Sequence, residues 1–199
     1  GNIKPGDTVL GLGAAGGVGL ASIELAKAYG AKVVAAVSSE EKAKVAKDAG
    51  ADETVVYPRA PFDKDQSKKL AGDFKDAVGS NGADIVVDIV GGDYSEPALR
   101  SIAWEGRFLV IGFPAGIAKM PLNLTLLKSC DIRGVFWGAF AAREPQRNAQ
   151  NIAELFELWQ DGKISPQVSE TYSLDDAHKA IEKLENRQAV GKLVVKMDK

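Results

Sequence analysis

A doubly wound α/β fold with a six-stranded parallel sheet is predicted by three features of this 199-residue sequence. Apolar strand-like runs alternate with amphipathic helical stretches from Thr8 to about Gly162. The runs are almost continuously apolar, as strands must be when helices cover both faces of a parallel sheet. The first run, Thr8-Val-Leu-Gly-Leu12, passes through a cluster rich in glycine and directly into a helix. Two βαβαβ halves of this kind form one Rossmann sheet with its ligand crevice at the topological switch point.

The elements follow in order. The first strand opens into Gly13-Ala-Ala-Gly-Gly-Val-Gly19, and Val18 to Tyr29 carries a helical pattern. Lys32-Val-Val-Ala-Ala-Val37 is the second strand, followed by a helix opened by Ser38 or Ser39 and stopped by Gly50. Ser38-x-x-Glu41 has the spacing of a capping box. Thr54–Tyr57 is a short third strand. The segment from Asp63 to Val78 puts Leu70, Phe74, Ala77 and Val78 on one helical face and ends in Gly79-Ser-Asn-Gly82. Asp84 to Val90 is the fourth strand, a helix runs from about Asp93 to Ala103, and Arg107 to Gly112 is the fifth strand. Asp131–Phe136 is the sixth. Ile152, Leu155, Phe156 and Trp159 form an i, i+3, i+4, i+7 stripe on a helix ended by Gly162.

The tail breaks this rhythm. Gln167–Tyr172 reads as extended, a helix capped by Ser173 and Asp176 carries Ala177, Ile181 and Leu184, and Lys192–Lys196 is a last strand. A complete six-stranded sheet has no place for this strand–helix–strand appendage. Residues 1–164 are therefore read as the dinucleotide-binding domain, and 165–199 as a segment that returns to a neighbouring domain.

Composition excludes several classes. A net charge of −2 without a basic cluster favours neither nucleic acid nor an anionic membrane surface as a partner. A single cysteine rules out an intramolecular disulfide and a cysteine-rich zinc cage, and suits a reducing, cytoplasmic compartment. No apolar run reaches membrane-spanning length, and no signal-peptide pattern is present. The chain starts on Gly1 rather than methionine, and only Asn2-Ile-Lys-Pro-Gly-Asp7 lies between it and the first core strand, which suggests a cut start with a tag scar or a domain boundary there.

The glycine cluster carries the chemistry. Glycines let a strand-to-helix turn approach a pyrophosphate closely, and the first N–H groups of the helix point at it without partners of their own. Gly11-x-Gly13-x-x-Gly16 and Ala14-x-Gly16-x-x-Gly19 both fit the dinucleotide pattern. The second framing is better, because it puts the last glycine at the helix start. Gly16, Gly17, Val18 and Gly19 are thus the candidate phosphate cradle.

Lys4-Pro-Gly-Asp-Thr-Val9, Gly13-Ala-Ala-Gly-Gly-Val-Gly19, Ala26-Lys-Ala-Tyr-Gly-Ala31, Asp48-Ala-Gly-Ala-Asp52, Val110-Ile-Gly112 and Gly191-Lys-Leu-Val194 occur here in one order. As a set they resemble the medium-chain dehydrogenase/reductases, and specifically their zinc-independent quinone oxidoreductase branch. The resemblance covers nearly all of the chain and implies a missing N-terminal GroES-like catalytic domain. It also implies a C-terminal return segment and a fragment with little activity alone. Zinc ligands of the zinc-dependent relatives fall upstream of Lys4. The wording Ala14-Ala-Gly-Gly-Val-Gly19 is that of the zinc-free branch, so no metal is expected.

Dinucleotide domains that prefer NAD place an acid at the end of the second strand. Here that place holds Ser38-Ser39, with Glu40 and Glu41 beyond it and then Lys42. Tyr57, ending the third strand, lies at a position from which it reaches the adenine or a 2′-phosphate. The resemblance assigns a small residue, a lysine and a tyrosine at these positions to NADPH. It places Val90, Ile111, Gly112, Phe113, Trp137 and Gly138 around the nicotinamide and its ribose. It also implies a homodimer through the Asp131–Phe136 edge. Phe136 and Trp137 are read as core or interface aromatics before substrate contacts. His178 shows no constellation, Cys130 reads as a plain buried thiol, and no catalytic residue is assigned. The implied activity is hydride transfer from NADPH to a quinone or α,β-unsaturated carbonyl. An enoyl-thioester reductase and a non-catalytic NADPH-binding protein remain as alternatives.

Overall fold

A computed structural model of the chain describes residues 1–186 and 188–197; of the tail, Arg187, Asp198 and Lys199 lie outside the described residues. Six strands form one parallel sheet: β1 (Thr8–Leu12), β2 (Lys32–Val37), β3 (Glu53–Val56), β4 (Ala83–Asp88), β5 (Ile102–Val110) and β6 (Asp131–Gly134), in the order β3-β2-β1-β4-β5-β6. The order reverses between β1 and β4, so a crevice opens at their carboxyl ends. Helices α1 (Gly17–Ala28) and α2 (Glu40–Asp48) cover one face. Helices α3 (Lys64–Val78) and α4 (Ser95–Arg100) cover the other, where Leu10, Phe74, Leu99 and Phe108 are fully enclosed.

Local chemistry sets the helix ends. Asp63 accepts from the Gln66 backbone N–H at 2.8 Å while the Gln66 side chain accepts from the Asp63 N–H at 3.0 Å, a complete capping box for α3. The box expected at Ser38 and Glu41 does not form. Ser39 is the N-cap, and its hydroxyl accepts from the Lys42 N–H at 3.3 Å, which frees Ser38 to end the strand.

Several boundaries differ from the sequence reading: β3 ends at Val56 rather than Tyr57, β4 ends at Asp88 rather than Val90, and two larger differences reshape β5 and β6. The helix expected to reach Ala103 stops at Arg100, because Ile102 joins the sheet beside Ala83 and is fully buried there. Pairing then skips from Ala83–Ile102 to Ile85–Arg107, so residues 103–106 bulge out of β5. Glu105 makes that bulge with φ of 57°. The sixth strand ends at Gly134 rather than Phe136, because two short helices, α5 (Asn123–Lys128) and α6 (Trp137–Arg143), flank it. The edge proposed for pairing is therefore Asp131–Gly134, extended by the Val135 N–H that donates to the Val110 carbonyl at 2.9 Å.

Helix α7 (Pro145–Gln160) carries the expected apolar stripe, yet only Leu158 on it is buried. Ile152, Leu155, Phe156 and Trp159 face an apolar groove shared with Leu25 of α1 and with Ile164 and Pro166. The tail forms β7 (Val168–Ser173), α8 (Ala177–Glu185) and β8 (Lys192–Lys196), and β7 and β8 pair in parallel as a separate two-stranded sheet. The Ser173 hydroxyl accepts from the Asp176 N–H at 3.3 Å at the start of α8, while Asp176 itself pairs with Lys179.

Left-handed backbone costs a non-glycine residue roughly 1–2 kcal/mol, partly offset by the entropy that glycine loses on folding. Glu105 is exposed and, among the described residues, makes no side-chain hydrogen bond. Glu105→Gly is expected to stabilise the chain by about 0.5–1 kcal/mol, a rise of roughly 1–4 °C in Tm. A thermal melt showing an unchanged or lower Tm would remove strain at this bulge from the description.

Candidate functional site

The end of β1 turns at Gly13, and α1 starts at Gly17 with Gly16 as its N-cap. Gly16 has no side chain to cap the helix, and among the described residues the N–H groups of Gly17, Val18 and Gly19 have no acceptor. The helix can start this close to the strand because of Gly19. A Cβ there would stand 2.5 Å from the Gly13 carbonyl oxygen and 2.6 Å from Ala14 backbone carbons. Gly17 differs: the nearest atoms to an added Cβ would be the Lys192 ammonium at 3.3 Å and the Gly191 oxygen at 3.5 Å.

The tail closes over this turn. The Gly191 N–H donates to the Ala15 carbonyl at 3.1 Å, and Gly16 and Gly191 form an isolated parallel bridge. This main-chain contact sets Lys192, the first residue of β8, at the amino end of α1. A cation there faces the positive end of the helix dipole, an arrangement that a bound anion would make favourable. Three free N–H groups and one ammonium form a donor set that fits a pyrophosphate. Lys192 was missed in the sequence except as part of a longer match. Its signal was a Gly-Lys pair at the head of the last strand.

At the end of β2 the structure brings Ser38 and Lys42 together: the Lys42 ammonium donates to the Ser38 hydroxyl at 3.4 Å. Glu40 and Glu41 lie in the first turn of α2. Tyr57 is placed differently from the reading that groups it with this pair. Its ring is only 8% exposed and packs on Tyr94, with centroids 4.7 Å apart, in the core on the α3 face. Burial pushes its phenol up to about 12, with Tyr94 and Asp88 adding to the rise against a hydrogen bond from the Gly13 main chain. The ring is therefore a support beneath the glycine turn. Alternation along β3 accounts for it: Val55 and Tyr57 both belong to this core.

The other end of the crevice is organised by Asp88, which the sequence reading passed over as a strand residue. Its buried carboxylate accepts from the N–H groups of Val90 at 2.9 Å and Gly91 at 2.8 Å and from the Ser95 hydroxyl at 2.5 Å. Its carbonyl accepts from the Ile111 N–H at 2.9 Å, joining the ends of β4 and β5. A Cβ on Gly91 would stand 2.6 Å from the Gly116 oxygen, so the turn after Phe113 rests directly on Gly91 and Gly92. Gly112 is nearly as tight, with an added Cβ 3.3 Å from the Ile89 oxygen. Val90 and Ile111 are partly buried, while Phe113 is exposed.

Trp137 and Gly138 do not end a strand. They open α6, and the Trp137 indole donates to Asn148 at 3.2 Å. Phe136 and Trp137 are 78% and 67% exposed, which removes the core reading for both. Burial pushes the Cys130 thiol up, as a plain enclosed thiol requires. His178 is exposed, with Nδ1 3.0 Å from the Asp175 carbonyl oxygen. Among the described residues no group of three or more His, Cys, Asp or Glu side chains is placed to hold a metal, and no helix is long and apolar enough to cross a membrane.

Residues 17–157 match the family model described as zinc-binding dehydrogenase. The chain belongs to this family. It is 37% identical over 196 residues to quinone oxidoreductase-like protein 2 of Bos taurus, covering 98% of this chain and 54% of that protein. It is 33% identical over 198 residues to acryloyl-coenzyme A reductase of Sulfurisphaera tokodaii, covering 98% of this chain and 52% of that one. A mycobacterial structure complexed with NADPH superposes with a TM-score of 0.84 at 32% identity, covering 97% of this chain and 57% of its own. The chain thus spans about half the length of the curated relatives it matches.

The two glycines are expected to separate under substitution. Gly19→Ala forces an overlap with backbone and is expected to cost about 1–3 kcal/mol. Gly17→Val meets a movable lysine, leaves Tm within about 2 °C, and blocks dinucleotide binding. Melting and calorimetric titration of both variants check this; a folded Gly17→Val chain that still binds would make the turn merely structural.

Proposed function

We propose that this chain is the NADPH-binding part of a cytoplasmic, zinc-independent reductase that passes hydride to a quinone or α,β-unsaturated carbonyl. The observation that carries the reading is the Ser38–Lys42 pair at the end of β2, where an NAD-preferring domain keeps an acid. Bound NADPH supplies the hydride. The N–H groups of Gly17, Val18 and Gly19 and the Lys192 ammonium hold its pyrophosphate, with Gly16 leaving the approach open. Ser38 and Lys42 take the 2′-phosphate. Tyr57 supports the turn from below. Val90 and the main chain of Ile111, Gly112 and Phe113 orient the carboxamide, with Trp137 and Gly138 at the rim. Exclusion of water around the nicotinamide and stabilisation of charge developing on the acceptor oxygen complete the protein's part.

The acceptor site is completed by residues outside this chain, to which residues 165–199 return. Held alone, the nicotinamide and acceptor lose the fixed geometry on which rapid transfer depends. The exposed edge of β6, with Phe136 and Trp137 beside it, supports pairing with a second copy across a two-fold axis. The similarity to an acryloyl-coenzyme A reductase favours an enoyl thioester as the second acceptor reading.

A charge-assisted hydrogen bond contributes roughly 1.5–3 kcal/mol, or about 10- to 150-fold in affinity. Calorimetric titration is expected to show NADPH binding at least about tenfold more tightly than NADH. Lys42→Ala is expected to bring the two within about threefold, at an unchanged NADH affinity. Equal affinities in the unmodified chain, or a preference for NADH, would contradict the assignment.

A further inference from the structure

Asp88 spends its carboxylate on the turn that it opens rather than on a distant element. Its donors are the N–H groups of Val90 and Gly91 and the Ser95 hydroxyl, all within seven residues along the chain. The residue closes β4 at the carboxyl edge of the sheet and is buried. An enclosed carboxylate is costly even when fully bonded, so stability alone does not call for one at the end of a strand.

What the carboxylate fixes is the group of residues assigned above to the nicotinamide end. Val90 is held through its own N–H, and Gly91 is held in a left-handed conformation with φ of 73°. The loop after β5 is built on this turn: the Gly92 N–H donates to the Gly116 carbonyl at 2.7 Å and the Ala115 N–H to the Val90 carbonyl at 2.9 Å. The main chain of Asp88 adds the other side, its carbonyl accepting from the N–H groups of Ile111 at 2.9 Å and Gly112 at 3.4 Å. The Val90 side chain also reaches the glycine turn, where a Cβ added to Gly13 would stand 2.9 Å from Val90 Cγ2. Through Val90, one residue ties the nicotinamide end to the turn before α1.

We propose that Asp88 is a positioning residue for the nicotinamide half of NADPH, acting through Val90, Gly91 and the ends of β4 and β5 without touching the cofactor. The proposal rests on the assignment of this crevice to NADPH. A corner ordered by Asp88 before the ligand arrives spares the nicotinamide and its ribose the cost of fixing that stretch of chain. Loss of the carboxylate leaves the N–H groups of Val90 and Gly91 and the Ser95 hydroxyl without their acceptor, and the corner gives up its single conformation. Asparagine keeps an oxygen for the two N–H groups and can donate its amide N–H to the Ser95 hydroxyl, so the shape survives loss of the charge.

The test is calorimetric titration of the full chain and its variants with two probes. One is NADPH; the other is adenosine 2′,5′-bisphosphate, which carries the adenosine and the 2′-phosphate but no nicotinamide. Asp88→Ala is expected to weaken NADPH at least about tenfold and adenosine 2′,5′-bisphosphate by less than about twofold. Asp88→Asn is expected to hold NADPH within about threefold of the unmodified chain. A merely structural role would weaken both probes together. Equal losses for the two probes, or an Asp88→Ala chain that binds NADPH undiminished, would overturn the proposal. Amide exchange in the unmodified, ligand-free chain supplies a reading that needs no variant to fold. The N–H groups of Val90, Gly91 and Ile111 are expected to exchange at least about tenfold more slowly than those of Gly17, Val18 and Gly19, and equal rates would also overturn the proposal. An unmodified chain that fails to bind adenosine 2′,5′-bisphosphate would contradict the 2′-phosphate assignment at Ser38 and Lys42, while NADPH binding and amide exchange still judge Asp88.

Discussion

The contact between Gly19 and the Gly13 carbonyl is the constraint on which the crevice depends. Because no side chain separates them, α1 begins directly on the end of β1, at the point where the strand order reverses. That close approach leaves three N–H groups at the mouth of the sheet without partners among the described residues. It also brings the Ala15 carbonyl to where the tail can bond it through Gly191. The position of Lys192 is thus fixed by main-chain contacts before any ligand arrives. Beneath, Tyr57 and Tyr94 pack against each other in the core on the α3 face.

The two ends of the crevice are held by different physics. At the glycine turn, unsatisfied N–H groups and an ammonium leave an electrostatic demand that an anion meets. Near the fifth strand the demand is already met inside the protein. Asp88 is a buried carboxylate with three donors, and its bonds turn the chain after β4 into a fixed corner. A buried carboxylate stripped of such donors would cost several kcal/mol, so the corner is retained for shape. One end is built to be completed by a ligand and the other to present a finished surface to it.

The sheet was legible because its strands are apolar on both faces, and α1 and α3 because glycine and Asp63 mark their starts. Short elements were not. Helices α5 and α6 have six and seven residues and no side-chain cap, so nothing in their sequence competes with an extended reading. The choice of Ser39 over Ser38 as cap turns on a single residue, yet it decides that Ser38 faces Lys42. The stripe on α7 correctly announced an amphipathic helix, but periodicity records that a face is apolar and not what covers it. At the site, the glycine turn and the missing strand-end acid could be read directly. Tyr57 could not, because a residue one step past a strand points either to the core or to the crevice with similar sequence context. Lys192 and Asp88 needed the fold, since each acts on residues far from it along the chain.

The most direct measurement is a backbone amide NMR titration of the chain with NADPH. The largest shifts are expected at Gly17, Val18 and Gly19, with Gly191 and Lys192 moving on the same isotherm and Ser38 and Lys42 responding to NADPH more than to NADH. Shifts confined to other parts of the chain, with the amides of Gly17 to Gly19 unmoved at saturation, would contradict a pyrophosphate held at the start of α1.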